Sequence, residues 1–200
     1  LPAAQRPGYD SSVNLATILA NLHPAPDFFL WVDPAGRYFP VGIEDAPVPT
    51  ACYLIDVHLG HWRRHAARFF DHVFMAQKDY LPDYQETIGH AQVAWLPLAA
   101  APDYHHPFDL PIRYDVAFVG NVTRAHKRTK SRMRSLHLVA ERYHTNDIFG
   151  FTPPEDVGRV YSQAKIAFNT SIAGDVTMRV FEGTGSGALL VTDAAANGLD

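Results

Sequence analysis

Short apolar runs alternate along this chain with stretches whose apolar positions recur every three or four residues. Phe28–Val32, held between Pro26 and Pro34, reads as a buried strand. Ala51–Asp56, His72–Gln77, Val93–Leu98, Asp115–Gly120, Asp147–Phe151, Ile166–Asn169 and Ala188–Thr192 have the same character. Helical spacing covers Ser11–Leu22, Gly60–Phe70, Asp79–Ile88, Thr129–Arg142, Pro154–Ala164 and a segment from Met178 to Gly185 or Gly187. Ser11 and Ser12 are the expected caps of the first helix. Strands separated by helices of about a dozen residues predict β-α-β units and parallel sheets. Two stretches interrupt the pattern. Residues 34–49 hold four prolines and two glycines and read as loop. Residues 99–113, with Pro102, Pro107, Pro111, His105 and His106, read as an interdomain linker. The expected class is α/β, with two parallel-sheet domains over 1–108 and 109–200.

Composition narrows the chemistry more than the fold. Of 200 residues, 47% are apolar and 19% charged, which excludes disorder and collagen-like repeats. The single cysteine, Cys52, excludes a disulfide scaffold and a cysteine-based zinc site. It fits a reducing compartment, so a cytoplasmic location is expected. A net charge of −4 gives no global field for nucleic acid or membrane. No apolar window is long enough to span a bilayer, and the first six residues show no signal-peptide pattern.

In open α/β sheets, ligands bind beyond the carboxyl ends of the strands. Those positions hold Asp33, Asp56, His58 and Gln77 in the first half, and Gly120, Asn121, Asn169, Thr170, Ser171 and Asp193 in the second. Asp56 and His58 make a base candidate if the strand runs on through His58; otherwise Asp56 caps a turn and His58 is a loop residue. His58, His61 and His65 invite a metal, but Trp62, Arg63 and Arg64 fill the gap where a zinc-protease helix carries Glu. A solvated His/Arg face is the simpler reading, and no metal is expected. Seven of the 17 basic residues fall between Arg124 and Arg142, starting just after the strand that ends at Gly120. A glycine, a basic loop and a helix start suit a phosphate. A plain solvated face or a nucleic-acid patch are the alternatives, the last weakened by the lack of interleaved aromatics. Arg179 and Glu182 stand three apart at the start of a helix. An Arg there can grip a diphosphate and a Glu can accept from two ribose hydroxyls; a surface ion pair is the competing reading.

Met178-Arg179-Val180-Phe181-Glu182, followed by Gly185-x-Gly187 and Ala188–Thr192, resembles the donor-binding segment of CgeB-like (spore-maturation-protein-like) glycosyltransferases of group 1. Tyr53–His58, Phe70–Tyr80, Trp95–Ala99 with Asp103, Tyr114–Asn121 and Tyr161–Asn169 agree in the same order, so the likeness covers residues 28–199. It implies the GT-B fold, two Rossmann-like domains, here incomplete at both ends. It implies transfer of a sugar from a nucleoside-diphosphate sugar to an acceptor hydroxyl, the acceptor being a polysaccharide, lipid or protein. Glu182 would hold the ribose, and Arg179 with Arg124, Lys127 or Arg128 would face the diphosphate. Gly120, Asn121 and Asn169 would lie against the donor, and Asp56 and His58 on the acceptor side, with His58 as base. No cofactor beyond the donor and no metal are implied, since basic groups carry the leaving charge. One departure stands out. Group 1 relatives place a donor-sugar Glu eight positions before the ribose Glu; here that position is Gly174, with Asp175 beside it. An inactive nucleotide- or sugar-binding module of the same fold is the alternative.

Overall fold

The computed structural model describes residues 13–34, 38–89, 92–122, 129–194 and 197–199. The chain forms two compact units, Leu1–Leu96 and Pro97–Asp200. No described helix is long and apolar enough to cross a membrane.

The first unit contains α1 (Leu15–Ala20), β1 (Phe29–Val32), β2 (Thr50–Leu54), α2 (Trp62–Ala67), β3 (His72–Met75), α3 (Leu81–Ile88) and β4 (Val93–Trp95). Its four strands are parallel, in the order β1-β2-β3-β4. Because each crossover steps the same way, the helices collect on one face. There Trp31, Cys52, Leu54, Val73, Met75 and Val93 pack against Leu15, Leu19, Ala67, Phe70 and Tyr84. On the opposite face Leu30 and Val32 are half exposed. The first helix starts at Leu15 rather than Ser11. Asn14 caps it, its side chain accepting from the Ala16 amide at 2.9 Å. Ser11 and Ser12 lie outside the described residues. The proline-rich loop includes a 3-10 turn at Ile43–Asp45, entered through Gly42 in the left-handed region at φ 75°. The predicted helix 60–70 is trimmed to α2.

The second unit contains β5 (Tyr114–Ala117), α4 (Thr129–Arg142), α5 (Val157–Ser162), β6 (Ala164–Phe168), α6 (Met178–Gly185) and β7 (Leu189–Val191). The strands are parallel in the order β5-β6-β7. The predicted strand 147–151 is absent: Asp147–Gly150 is a turn, closed by the Gly150 amide on the Asp147 carbonyl at 3.2 Å. The strand-like contact comes earlier, as a parallel bridge of Thr145 to Val116 on the far side of β5 from β6. One residue on, the Asn146 side chain continues the ladder. Its Oδ1 accepts from the Phe118 amide and its Nδ2 donates to the Phe118 carbonyl, both at 3.0 Å. A side-chain amide thus replaces a backbone one, which the apolar pattern of Ile148, Phe149 and Phe151 conceals.

This sheet is wound in two directions. From β5 the chain goes out through α4 to Thr145, then returns through α5 to β6 on the other side of β5. Phe118 joins Leu136 of α4 and Ile148, whereas Ala117 and Ala167 join Val157 and Tyr161 of α5. Neighbouring residues point to opposite faces, so α4 and α5 cover opposite sides. The reversal leaves a crevice between the carboxyl ends of β5 and β6, the place where such sheets bind ligands. The stretch before β5 packs on this unit: the Ser162 hydroxyl accepts from the Phe108 amide at 3.0 Å, and Gly158 leaves room for the Tyr104 carbonyl.

Candidate functional site

Arg179 spans that crevice. It lies in the first turn of α6, and its Nε donates to Asn169 Oδ1, just beyond β6, at 2.9 Å. Its Nη1 reaches the Val119 carbonyl, just beyond β5, at 3.5 Å, and the guanidinium lies 4.8 Å from the Phe118 ring centre. Gly120 leaves room for this guanidinium: a Cβ on it would displace Arg179 Nη1 from its present position. Asn169 is buried and shared: its Oδ1 also accepts from Thr177 Oγ1 at 2.9 Å, and its Nδ2 donates to Thr192 Oγ1 at 2.8 Å. The ends of β6 and β7 and the start of α6 are therefore joined through one amide.

A second arginine backs the first. Arg132 on α4 is 4% exposed, and its Nε and Nη2 donate to the Thr170 carbonyl at 3.1 and 2.8 Å. Burial, with repulsion from nearby Arg179, brings its guanidinium down to about 10. Burial also holds Arg179 below the ordinary arginine range. The hydrogen-bond partners are neutral oxygens, and the nearby Asp175 and Asp193, with Glu182 for Arg179, offset the cost of burying these cations only in part.

Glu182 follows Arg179 by one turn. Burial pushes its carboxyl above the usual range, and Arg179 opposes this only in part. Among the described residues nothing donates a hydrogen bond to its carboxylate. A half-buried carboxylate without a donor is costly unless something else supplies one. The arrangement thus offers cations beside an acceptor-only group, at a helix start, in a crevice.

The remaining predicted residues are placed as follows. Gly120 and Asn121 line a cavity of about 480 Å³ with Val119, Val122, Phe149, Gly150, Phe151 and Thr152. Asp175 is buried, and its Oδ1 accepts from the Ile172 and Ala173 amides at 3.0 and 3.1 Å, shaping the loop before α6. Gly174 is left-handed at φ 73°. Ser171 is held by Asp193, with its amide 2.9 Å from Oδ1. Arg124, Lys127 and Arg128 lie outside the described residues. Arg132, Phe149 and Phe151 were not among the expected site residues. Arg132 looked like one more charge in a basic run, and the two phenylalanines like part of a strand.

In the first unit, β2 ends at Leu54 and a 3-10 turn follows at Val57–Leu59. Asp56 precedes that turn and His58 lies inside it, so the extended geometry that would align their side chains is not formed. The solvated His/Arg face needs correction. His61 and His65 are exposed, but Arg63 is 3% exposed and donates through Nε and Nη2 to both Asp33 oxygens, at 2.5 and 3.1 Å. Trp62 flanks this guanidinium, 4.8 Å from its ring centre, and Asp33 also accepts from the Asp56 amide at 3.3 Å. Gln77 is buried. Among the described residues no group of three His, Cys, Asp or Glu is placed to hold a metal ion.

No curated protein matches the chain. Residues 117–200, all within the second unit and including both arginines, Glu182 and the crevice, match the model of a family described as glycosyl transferase-like.

Proposed function

We propose that this chain binds a nucleoside-diphosphate sugar in its second unit and serves transfer of the sugar to an acceptor hydroxyl. The observation that carries the reading is the pairing of Arg179, stretched across the crevice, with a half-buried Glu182 that no described residue satisfies. A diphosphate supplies the negative charge the arginines lack. A ribose diol supplies the donors the carboxylate lacks. The likeness of residues 117–200 to the glycosyl transferase-like family supports the same chemistry.

In the reaction, an acceptor oxygen attacks the anomeric carbon as the bond from that carbon to the phosphate oxygen breaks. The bonding electrons leave with the nucleoside diphosphate, whose growing charge Arg179 stabilises. The proposal takes the fold to be of GT-B type and the transfer to need no metal. The test is thermal unfolding with UDP, GDP, ADP and CMP and their sugar conjugates. A ligand at 100 times its dissociation constant adds about 2.7 kcal/mol of stability. One base series should raise the midpoint, and a flat panel contradicts the reading.

A second reading, binding without turnover, is favoured by Asp175. The acidic residue next to position 174 has an oxygen committed to two loop amides. Release of free nucleoside diphosphate from the sugar conjugate, with or without acceptor, rules it out.

A further inference from the structure

Arg179 hangs from an amide where Arg63 of the first unit hangs from a carboxylate. The amide, Asn169, is 1% exposed, so a ligand in the crevice meets the guanidinium and not its anchor. The amide oxygen is fully used. Oδ1 accepts from Thr177 Oγ1 and from Arg179 Nε, both at 2.9 Å, which fills its two lone pairs. Arginine only donates, so the oxygen must face it, and Nδ2 turns to Thr192 Oγ1 at 2.8 Å. The guanidinium is held at two further points. Nη1 reaches the Val119 carbonyl at 3.5 Å, and the Phe118 ring centre lies 4.8 Å from the guanidinium carbon. Among the described residues nothing accepts from Nη2. Its protons are thus offered on a guanidinium whose edge and plane are already set.

The anchor's neutrality matters as much as its place. An aspartate at 169 would have the same shape and could accept the same two bonds, but it would also hand Arg179 a full counter-charge. Asp33 does this for Arg63, two oxygens onto two donors. An amide fixes the direction of a cation without neutralising it, and a doubly charged phosphate chain then finds a donor that is both aimed and uncancelled. We infer that Asn169 is a positioning residue of the anion site: it holds Arg179 with Nη2 free for a ligand phosphate and, being uncharged, leaves the guanidinium's charge to that phosphate. The inference rests on the donor reading above. It adds that Asn169 acts through Arg179 and does not itself touch the donor.

The experiment is calorimetric titration of the full chain with inorganic pyrophosphate and with UDP, GDP, ADP and CDP, in the parent, Asn169→Ala, Arg179→Ala and the double variant. Urea unfolding of each unliganded protein reports its fold. Asn169→Ala should bind pyrophosphate and the tightest nucleoside diphosphate about tenfold more weakly, the range of one hydrogen bond to a charged group. Arg179→Ala should lose at least as much. The double variant should bind as Arg179→Ala does, because a residue that acts only through another has nothing left to act on. A general loosening of the crevice would instead lower affinity again on top of Arg179→Ala. Asn169→Asp keeps the shape of the side chain and carries the test if Asn169→Ala does not fold. It should unfold no more easily than the parent and bind pyrophosphate about tenfold or more weakly, again only while Arg179 is present. Losses that multiply in either double variant place Asn169 against the ligand and overturn the inference, while the donor reading stands. Unchanged pyrophosphate affinity in a folded Asn169→Ala or Asn169→Asp protein overturns it as well. If the parent binds no nucleoside diphosphate, or Arg179→Ala binds as tightly as the parent, both the inference and the donor reading fall.

Discussion

Both units bury charged side chains where their strands end, and they treat them in opposite ways. In the first unit Arg63 and Asp33 close on each other, two donors onto two oxygens, with Trp62 alongside and an amide on the same carboxylate. In the second unit Arg132 and Arg179 are given carbonyl and amide oxygens, and Glu182 is given no hydrogen bond by any described residue. The windings differ in parallel. The first sheet steps one way and collects its helices on one face, whereas the second reverses at β5 and leaves a crevice. A buried charge is therefore a poor marker of function until its partner is counted. A closed pair is costly only when one partner is removed, and incompletely matched charges in a crevice point to a ligand.

The largest effect should come from breaking the closed pair. Arg63→Ala strands a buried carboxylate and should cost about 3–5 kcal/mol of stability, read by urea unfolding. Replacing both partners with apolar residues of similar size should recover most of the loss. Nucleotide affinity per folded molecule should not move in either variant. An Arg63→Ala protein that unfolds like the parent would mean the pair is not closed in solution.

Glu182→Ala should do the reverse, weakening nucleoside diphosphate binding by about tenfold to a hundredfold, the worth of a hydrogen bond to a charged group, with the fold intact. The pH dependence sharpens this. Burial raises the folded carboxyl above its unfolded value. The stability that the protonated form provides is therefore present below the unfolded value and lost as pH rises through the raised folded one. Diol binding needs the charged form, so affinity should grow over the same rise. In Glu182→Gln the unliganded protein should be at least as stable as the parent at neutral pH, and that titration of affinity should vanish. The phosphate's own titration persists in both proteins and cancels in the comparison.

The smallest effect concerns Cys52, fully buried on β2, whose thiol burial pushes far up. Native protein should react with a thiol reagent only through unfolding of the first unit. Saturating nucleotide should leave that rate unchanged if the ligand's stabilisation stays in the second unit. A nucleotide-dependent slowing would show that the units share their stability.

Much of this contrast was legible in the sequence, and the residues show where legibility stops. The helix over Thr129–Arg142 and the one opening at Met178 stand where their periodicity puts them, because long amphipathic patterns carry many agreeing positions. Arg179, Asn169 and Glu182 could be picked out because strand ends and helix starts fix them locally. Arg63 could not, since its partner Asp33 is 30 positions away and only the fold joins them. Arg132 was hidden for the same reason: a basic run shows its charge but not its burial against Thr170, 38 residues on. The false strand at Asp147–Phe151 is a different failure. Apolar residues there serve a core at Ile148 and a cavity wall at Phe149 and Phe151, and no period separates those uses.

The most direct test of the central claim is a single pair of titrations at neutral pH, parent and Glu182→Ala, with whichever of UDP, GDP, ADP or CDP the parent binds most tightly. The account predicts a dissociation constant at least tenfold weaker in the variant, with urea unfolding of the unliganded variant no easier than that of the parent. Equal affinities, or a parent that binds none of the four, would contradict it.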